Sequence, residues 1–270
     1  MITEQDGFVF EINGETAVLI SCKREETDIP APGSVLLDDR TVPVVCIGAS
    51  AFSESDITSV FIPDSVVCIS EKAFSGCSSL VSVRFPPCLE IISANAFYGC
   101  QSLAGIVLPD SVSFIGEEAF ADCILLETVK FPESLDCLGD WAFSGCLSMK
   151  TAVLPASLVH IGGGAFSDCA TLESVVFPDV LESVGRLSFF KCMNLRTLDF
   201  PESVKEIGAG AFADCFSLTY IKFPENIGYL GNNAFLGTEF FSKEGKSLNP
   251  EPEAIRGKCF AGKNGTLTEL

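Results

Sequence analysis

Ala73-Phe74-Ser75-Gly76-Cys77 recurs along this chain almost without drift. It returns as Ala96-Phe97-Tyr98-Gly99-Cys100, then as Phe120/Cys123, Phe143/Cys146, Phe166/Cys169, Phe189/Cys192 and Phe212/Cys215, each Phe-x-x-Cys lying 23 residues after the last. Strict self-similarity at such a period marks units too small to fold alone, which bury their apolar faces only by stacking. The 270 residues are therefore read as one solenoid rather than two globular domains.

Later coils share the template Cys-x-x-Leu-x-x-Val-x-Phe-Pro-x-Ser-Leu-x-x-Ile-Gly-x-x-Ala-Phe. Cys77, Leu80, Val83, Phe85, Pro86, Leu89, Ile92, Ala96 and Phe97 show it in one coil. Val83-x-Phe85 has the period of a strand, and Pro86 ends it because proline cannot continue a ladder. Leu89-x-x-Ile92 is a second extended piece, stopped in most coils by a glycine such as Gly116, Gly139 or Gly162. The stretch 117–122 suits a single helical or 3-10 turn. The expected fold is a β-rich solenoid of right-handed 23-residue coils with short parallel strands and short helical or 3-10 turns.

The ends differ from the repeat. Phe8, Phe10 and Ile12 alternate, Asn13-Gly14 follows, and Val18 and Ile20 resume the alternation, which predicts a β-hairpin over 6–21. Pro30, Pro32-Gly33 and Asp38-Asp39 predict an irregular connection. Coils begin near Val44, the first being one residue short, with 22 residues from Phe52 to Phe74. After Phe235 the pattern fails: Thr238 takes the Cys slot, and Gly245, Pro250 and Pro252 break regular structure. The domain reading is an N-terminal cap over 1–43, the solenoid over 44–238 and a C-terminal cap over 239–270, in which Ile255, Phe260 and Leu267 cover the last coil.

Net charge of −19 argues against nucleic acid and anionic membranes as partners, since both need clustered Lys and Arg. No apolar run approaches the ~18 residues of a membrane-spanning helix. Met1 to Asp6 shows no basic and apolar leader, so a cytoplasmic location is expected, with the cell surface or secretion as the alternative if a leader has been removed. Seven of the thirteen cysteines occupy one slot. Stacked coils hold equivalent side chains about 4.8 Å apart and parallel, whereas a disulfide wants Cβ atoms about 3.5–4.5 Å apart and facing. The ladder is read as reduced thiols packed as small hydrophobes. With no Cys-x-x-Cys and a single His, neither metal nor cofactor is expected.

These residues resemble the BspA-type leucine-rich repeat, the treponemal subclass, whose 23-residue unit carries the same Leu-x-x-Ile-x-Leu-Pro…Ile-Gly-x-x-Ala-Phe-x-x-Cys frame. The resemblance covers about residues 44–238. Departures are few: Trp141 precedes Ala142, Leu187-Ser188 precedes Phe189, Met149 fills a Leu slot and Cys88 a turn Ser slot. The resemblance implies a non-enzymatic interaction module, in secreted members often an adhesin for host matrix proteins or other cells.

Because coils stack, each non-core position becomes a column. The column after Pro (Asp64, Pro87, Asp110, Glu133, Ala156, Asp179, Glu202, Glu225) reads as a solvated turn, with a weak cation site as the sharper alternative. The column before Cys (Gly99, Asp122, Gly145, Asp168, Lys191, Asp214) reads as spaced repulsion, since alternate acids stand about a Debye length apart. Glu127, Lys150, Glu173 and Arg196 alternate in sign and are expected to pair across coils.

Two columns are candidates for binding, and the second-strand one is the more suggestive. On the second strand, Cys46, Cys68, Ile91, Phe114, Cys137, His160, Ser183, Glu206 and Tyr229 lie between inward positions, so alternation turns at least some of them outward. On the first strand, Val107, Val153 and Val176 form an apolar patch among Arg84, Lys130, Asp199 and Lys222. Apolar residues gathered on a solenoid face suit a protein partner. Ile91, Phe114, Cys137, His160, Tyr229, Val107, Val153 and Val176 are thus the candidate binding residues, equally readable as surface covered by a cap or a neighbouring coil.

Enzyme chemistry has little to stand on. A Cys137–His160 dyad one coil apart is conceivable, but no oxyanion or acid partner can be named for it. Gly162-Gly163-Gly164 precedes no Lys-Ser/Thr and is not a phosphate loop. Asn264-Gly265-Thr266 has the form of a glycosylation sequon. The expected function is non-enzymatic protein binding by a repeat-built face, the alternative being an exported surface adhesin for matrix protein or glycan. The partner and the oligomeric state are not legible.

Overall fold

The computed structural model of the protein describes residues 1–238, 242–243, 246–247, 250–263 and 266–269. It is a β-solenoid of nine coils, one for each of the buried Phe52, Phe74, Phe97, Phe120, Phe143, Phe166, Phe189, Phe212 and Phe235.

The N-terminal strands are β1 (Ile2–Gln5), β2 (Phe8–Asn13), β3 (Thr16–Cys22), β4 (Asp28–Pro30), β5 (Ser34–Leu37) and β6 (Arg40–Ile47). β2 and β3 form the predicted hairpin, but Asn13 pairs with Thr16 and the loop is Gly14-Glu15. Only Gly14 has positive φ, +69°, as the first central residue of a II′ turn requires. The supposed irregular connection is more ordered than its prolines suggested. β5 and β6 are antiparallel around Asp38-Asp39, whose φ values of 47° and 63° make a two-residue left-handed turn. β4 tolerates Pro30 at the edge of a three-stranded sheet. β3 then pairs in parallel with β6, which feeds the first coil ladder.

Each coil holds a three-residue first strand, such as Ser82–Arg84, and a two-residue second strand, such as Ile91–Ile92. Second strands form one continuous parallel ladder from β6 to Tyr229–Leu230. First strands are linked only in short groups, as in Gly105–Val107 with Thr128–Lys130 and Thr151–Val153 with Ser174–Val176.

The third side is neither helix nor 3-10 turn. In one coil Asn95, Phe97 and Gly99 donate N–H along the solenoid axis to the carbonyls of Glu117, Ala119 and Ala121, each at 2.8 Å; between them Ala96, Tyr98 and Cys100 close turns onto Ser93, Asn95 and Phe97. Alternate donors thus build a third inter-coil ladder, which a helix would have used up internally. This path needs two left-handed residues per coil, such as Asn95 (φ 55°) with Gly99 (φ 69°), or Glu118 (φ 53°) with Asp122 (φ 57°). Gly, Asn and Asp tolerate that region best. The Gly/Asp alternation before Cys is therefore a backbone requirement rather than charge spacing. Lys191, at φ 58°, is its costly exception and sits 3.9 Å from Asp168.

The core is a double rail. Phe rings stack from Phe52 to Phe235 with centroids 5.0–5.8 Å apart and planes within 11° of parallel. Beside them each ladder Cys donates its S–H to the Phe carbonyl of the preceding coil, from Cys77 to Phe52 at 3.0 Å through Cys215 to Phe189 at 3.1 Å. The residue missing from the first coil falls between Ser55 and Ile57, after the rails have passed, so Phe52 still stacks on Phe74. Cys88 does the work of the Ser it replaces, donating to the Asp64 carbonyl at 2.6 Å as Ser111 donates to Pro87 at 2.8 Å.

At the C-terminal end Cys259–Lys263 pairs antiparallel with Tyr220–Lys222. Ile255 and Phe260 are buried, the latter edge-on to Phe223 at 6.0 Å. Pro252 opens a short helix, Pro252–Ile255, instead of breaking structure. Gly245, Asn264 and Gly265 lie outside the described residues, as does the side chain of Leu267.

Candidate functional site

The second-strand column faces outward, as alternation predicts. Cys46, Cys68, Ile91 and Phe114 are in register, and so are Cys137, His160, Ser183, Glu206 and Tyr229. Phe114 and Tyr229 are about half exposed, at 50% and 51%. They are separated by polar rungs at His160, Ser183 and Glu206.

The conceivable dyad is not formed. His160 and Cys137 are adjacent rungs, but His160 Nδ1 lies 2.8 Å from Ser183 Oγ, on the other side. Burial raises the Cys137 thiol, and the carboxylates of Asp136 and Asp140 raise it further, the reverse of nucleophile activation. The ladder cysteines are more inert still. Burial pushes Cys123, Cys169 and Cys215 up to about 12. All thirteen cysteines are free thiols. Among the described residues no group of three or more His, Cys, Asp or Glu is placed to hold a metal ion, and no helix is long and apolar enough to cross a membrane.

Val107, Val153 and Val176 lie on first strands, a different sheet from Ile91, Phe114, Cys137, His160 and Tyr229. The eight candidate residues therefore divide among three sheets, with Val107 also apart from Val153 and Val176. Val153 and Val176 are directly paired and stand 62% and 55% exposed. Val107 pairs with Lys130 in the neighbouring group. Two adjoining depressions open beside Val176. One, about 390 Å³, is lined by Leu154, Ala156, Val176, Phe177, Pro178, Asp179 and Val180. The other, about 420 Å³, shares Val176, Phe177 and Asp179 and adds Asp199, Glu202 and Lys222. Lys222 pairs with Asp199 at 3.1 Å, which leaves Asp179 and Glu202 as the surplus charge there.

Of the alternating column, only Glu173–Arg196 closes, at 3.5 Å. In the column after Pro, Asp110 meets Lys130 at 3.7 Å and Glu202 accepts the Glu225 N–H at 2.9 Å, as ordinary turn residues do.

One apolar column escaped the sequence reading. The residue after each Cys runs Ser78, Gln101, Ile124, Leu147, Ala170, Met193, Phe216. Leu147, Met193 and Phe216 are exposed. Aligning the coils on Cys would have revealed this ridge; strand alternation could not, because the position belongs to the corner.

The BspA type leucine rich repeat region matches residues 45–173 and 138–267, in six copies. Among solved structures, a leucine rich repeat protein of T. pallidum is 29% identical, with a TM-score of 0.60 over 86% of this chain and 99% of its own. A leucine rich cell surface protein from Faecalibacterium prausnitzii A2-165 has the same fold, at 24% identity and a TM-score of 0.57 over 88% of this chain and 80% of its own. Comparison with curated proteins gave no match. The Phe–Cys rails, the parallel coil ladders and a family match extending over most of the chain lead to one conclusion: this protein belongs to the BspA-type leucine-rich repeat family.

Proposed function

We propose that the protein is a non-enzymatic binding module and that its partner-facing surface is the first-strand side around Val153 and Val176. The observation that carries this is the pair of exposed valines on adjacent rungs, with Val176 bordering two depressions whose apolar walls carry the carboxylates of Asp179 and Glu202. Side chains with aliphatic stems and cationic heads suit such a surface, and the overall charge of −19 attracts them at long range. The partner is therefore an extended polypeptide segment rich in Lys or Arg and aliphatic residues.

Selection of peptides from a random display library against the full chain tests this. Peptides enriched in Lys or Arg with aliphatic residues are expected, losing at least about tenfold in affinity, or about 1.4 kcal/mol, with Val153→Ser/Val176→Ser. Loss instead with Phe114→Ala/Tyr229→Ala would move the surface to the second-strand column. No loss with either variant would overturn both.

The thiols support a location that keeps cysteines reduced, because seven of them are committed as S–H donors to backbone carbonyls. Recovery of the intact chain from outside the cell would favour the surface-adhesin reading in its place.

A further inference from the structure

Function in a repeat protein resides where copies differ, and three departures from the template coincide at the start of the solenoid. Cys46 and Cys68 are adjacent, in-register rungs of the second-strand ladder, so their side chains leave the sheet on one side about 4.8 Å apart. Both are half-buried. The corner glycine that follows the second strand is replaced at the next two coils. That corner holds Gly48, then Ser70 and Ser93, and afterwards Gly116, Gly139, Gly162, Gly185, Gly208 and Gly231. Glycine is normally needed there because the neighbouring coil packs against it; a Cβ on Gly116 would stand 2.6 Å from the Ala94 nitrogen. The first of these serines brings its hydroxyl to the thiol pair. Ser70 Oγ lies 3.2 Å from Cys46 Sγ, and the Ser70 and Ser93 hydroxyls lower the Cys68 thiol. A hydroxyl can donate to a thiolate. The carbonyls that receive the ladder thiols cannot.

We propose that Cys46 and Cys68 form a thiol–disulfide exchange site, in which Cys68 attacks a small-molecule disulfide and Cys46 resolves the product. In the first step the Cys68 thiolate bonds to one sulfur of RSSR, and the S–S bond breaks with release of RS⁻. In the second, Cys46 gives up its proton and attacks the Cys68 sulfur, expelling the second RS⁻. Two protein thiols are oxidised by two electrons, and the small disulfide is reduced to two thiols. The rung spacing lies within the ~4.4–6.8 Å range of disulfide Cα separations, but the Cβ atoms must draw together, which makes the bridge a reducible one.

Electrostatics assists the geometry. The neighbouring Cys46 thiol lowers Cys68, and the Ser70 and Ser93 hydroxyls add to this against the opposing effect of burial. Cys46 is raised in turn, by Cys68 and by burial. Cys68 is thereby the more readily ionised thiol of the pair, and so the attacking one. Weaker intrinsic nucleophilicity offsets part of that gain.

The test is reaction of the full chain with oxidised glutathione at pH 6, followed by peptide mass spectrometry. Wild type should form the Cys46–Cys68 disulfide about tenfold faster than Cys137 acquires glutathione. Cys46→Ser should stop at a stable mixed disulfide on Cys68, and Cys68→Ser should do neither. Glutathione spread evenly over Cys22, Cys68 and Cys137 would overturn the proposal. So would a mixed disulfide on Cys68 that persists in wild type.

Discussion

Removing one ring from the middle of the Phe stack is the most direct probe of what holds this solenoid together. Phe143 is fully buried, stacked on Phe120 at 5.2 Å and on Phe166 at 5.8 Å, with Phe131 edge-on at 5.4 Å. Phe143→Ala removes all three ring contacts, and the site cannot collapse to fill the gap. The inter-coil spacing is fixed on either side of the ring by the backbone bonds from Phe120 to Ala142 and from Phe143 to Ala165, both 2.8 Å. A loss of about 3–5 kcal/mol follows, as for other buried aromatics. Because each coil touches only its neighbours, a mid-stack defect also uncouples the two halves. Urea unfolding followed by far-UV circular dichroism should therefore show a lower midpoint and a shallower slope, since less surface is exposed in each step. A loss below about 1 kcal/mol with an unchanged slope would refute the stack as the cohesive element.

Four further outcomes are expected. Ser188 stands in the Ala column with a buried hydroxyl that has no hydrogen-bond partner, so Ser188→Ala should stabilise by about 1 kcal/mol in the same assay; a destabilised variant would mean that the hydroxyl is bonded. Gly139→Ala should destabilise by about 1–3 kcal/mol, because the new Cβ would lie 2.6 Å from the Gly116 backbone carbon; a neutral result would show that the coils can spread. Cys123, Cys169 and Cys215 are raised from 9.0 to about 12 in the fold, so the native state binds more protons than the unfolded chain between those values. Their contribution is intact below pH 9 and is lost as pH rises toward 12, so the urea midpoint should fall across that window, and a flat profile would contradict it. Deleting residues 240–270 strips Cys259–Lys263 from Tyr220–Lys222 and exposes Phe223, so sedimentation should show association through the bared edge, a stable monomer being the contrary result.

The 23-residue period was sufficient to define the solenoid, the identity of its core residues and the outward direction of the second-strand column. Each of these follows from spacing along the chain: one coil per period, alternate side chains on opposite faces, and burial of whatever apolar residue recurs. The hairpin at the N-terminus was legible for the same reason. Its turn was displaced by one residue, because only the pairing of Asn13 with Thr16 decides which two residues form the loop.

The tertiary structure decided what depends on contacts between coils. The Ala-Phe-x-x-Cys corner reads locally as a helical turn, yet alternate N–H groups find carbonyls one coil away, and two left-handed residues per coil follow from that. The glycine after the second strand stops nothing; it admits the neighbouring backbone. Spatial order likewise divided the candidate binding residues among three sheets and turned His160 toward Ser183 rather than Cys137. Cys46, Cys68, Ser70 and Ser93 were unremarkable as letters. They became a site only when stacking brought a corner hydroxyl onto a pair of adjacent thiols, because stacking joins residues by column and the sequence orders them by coil.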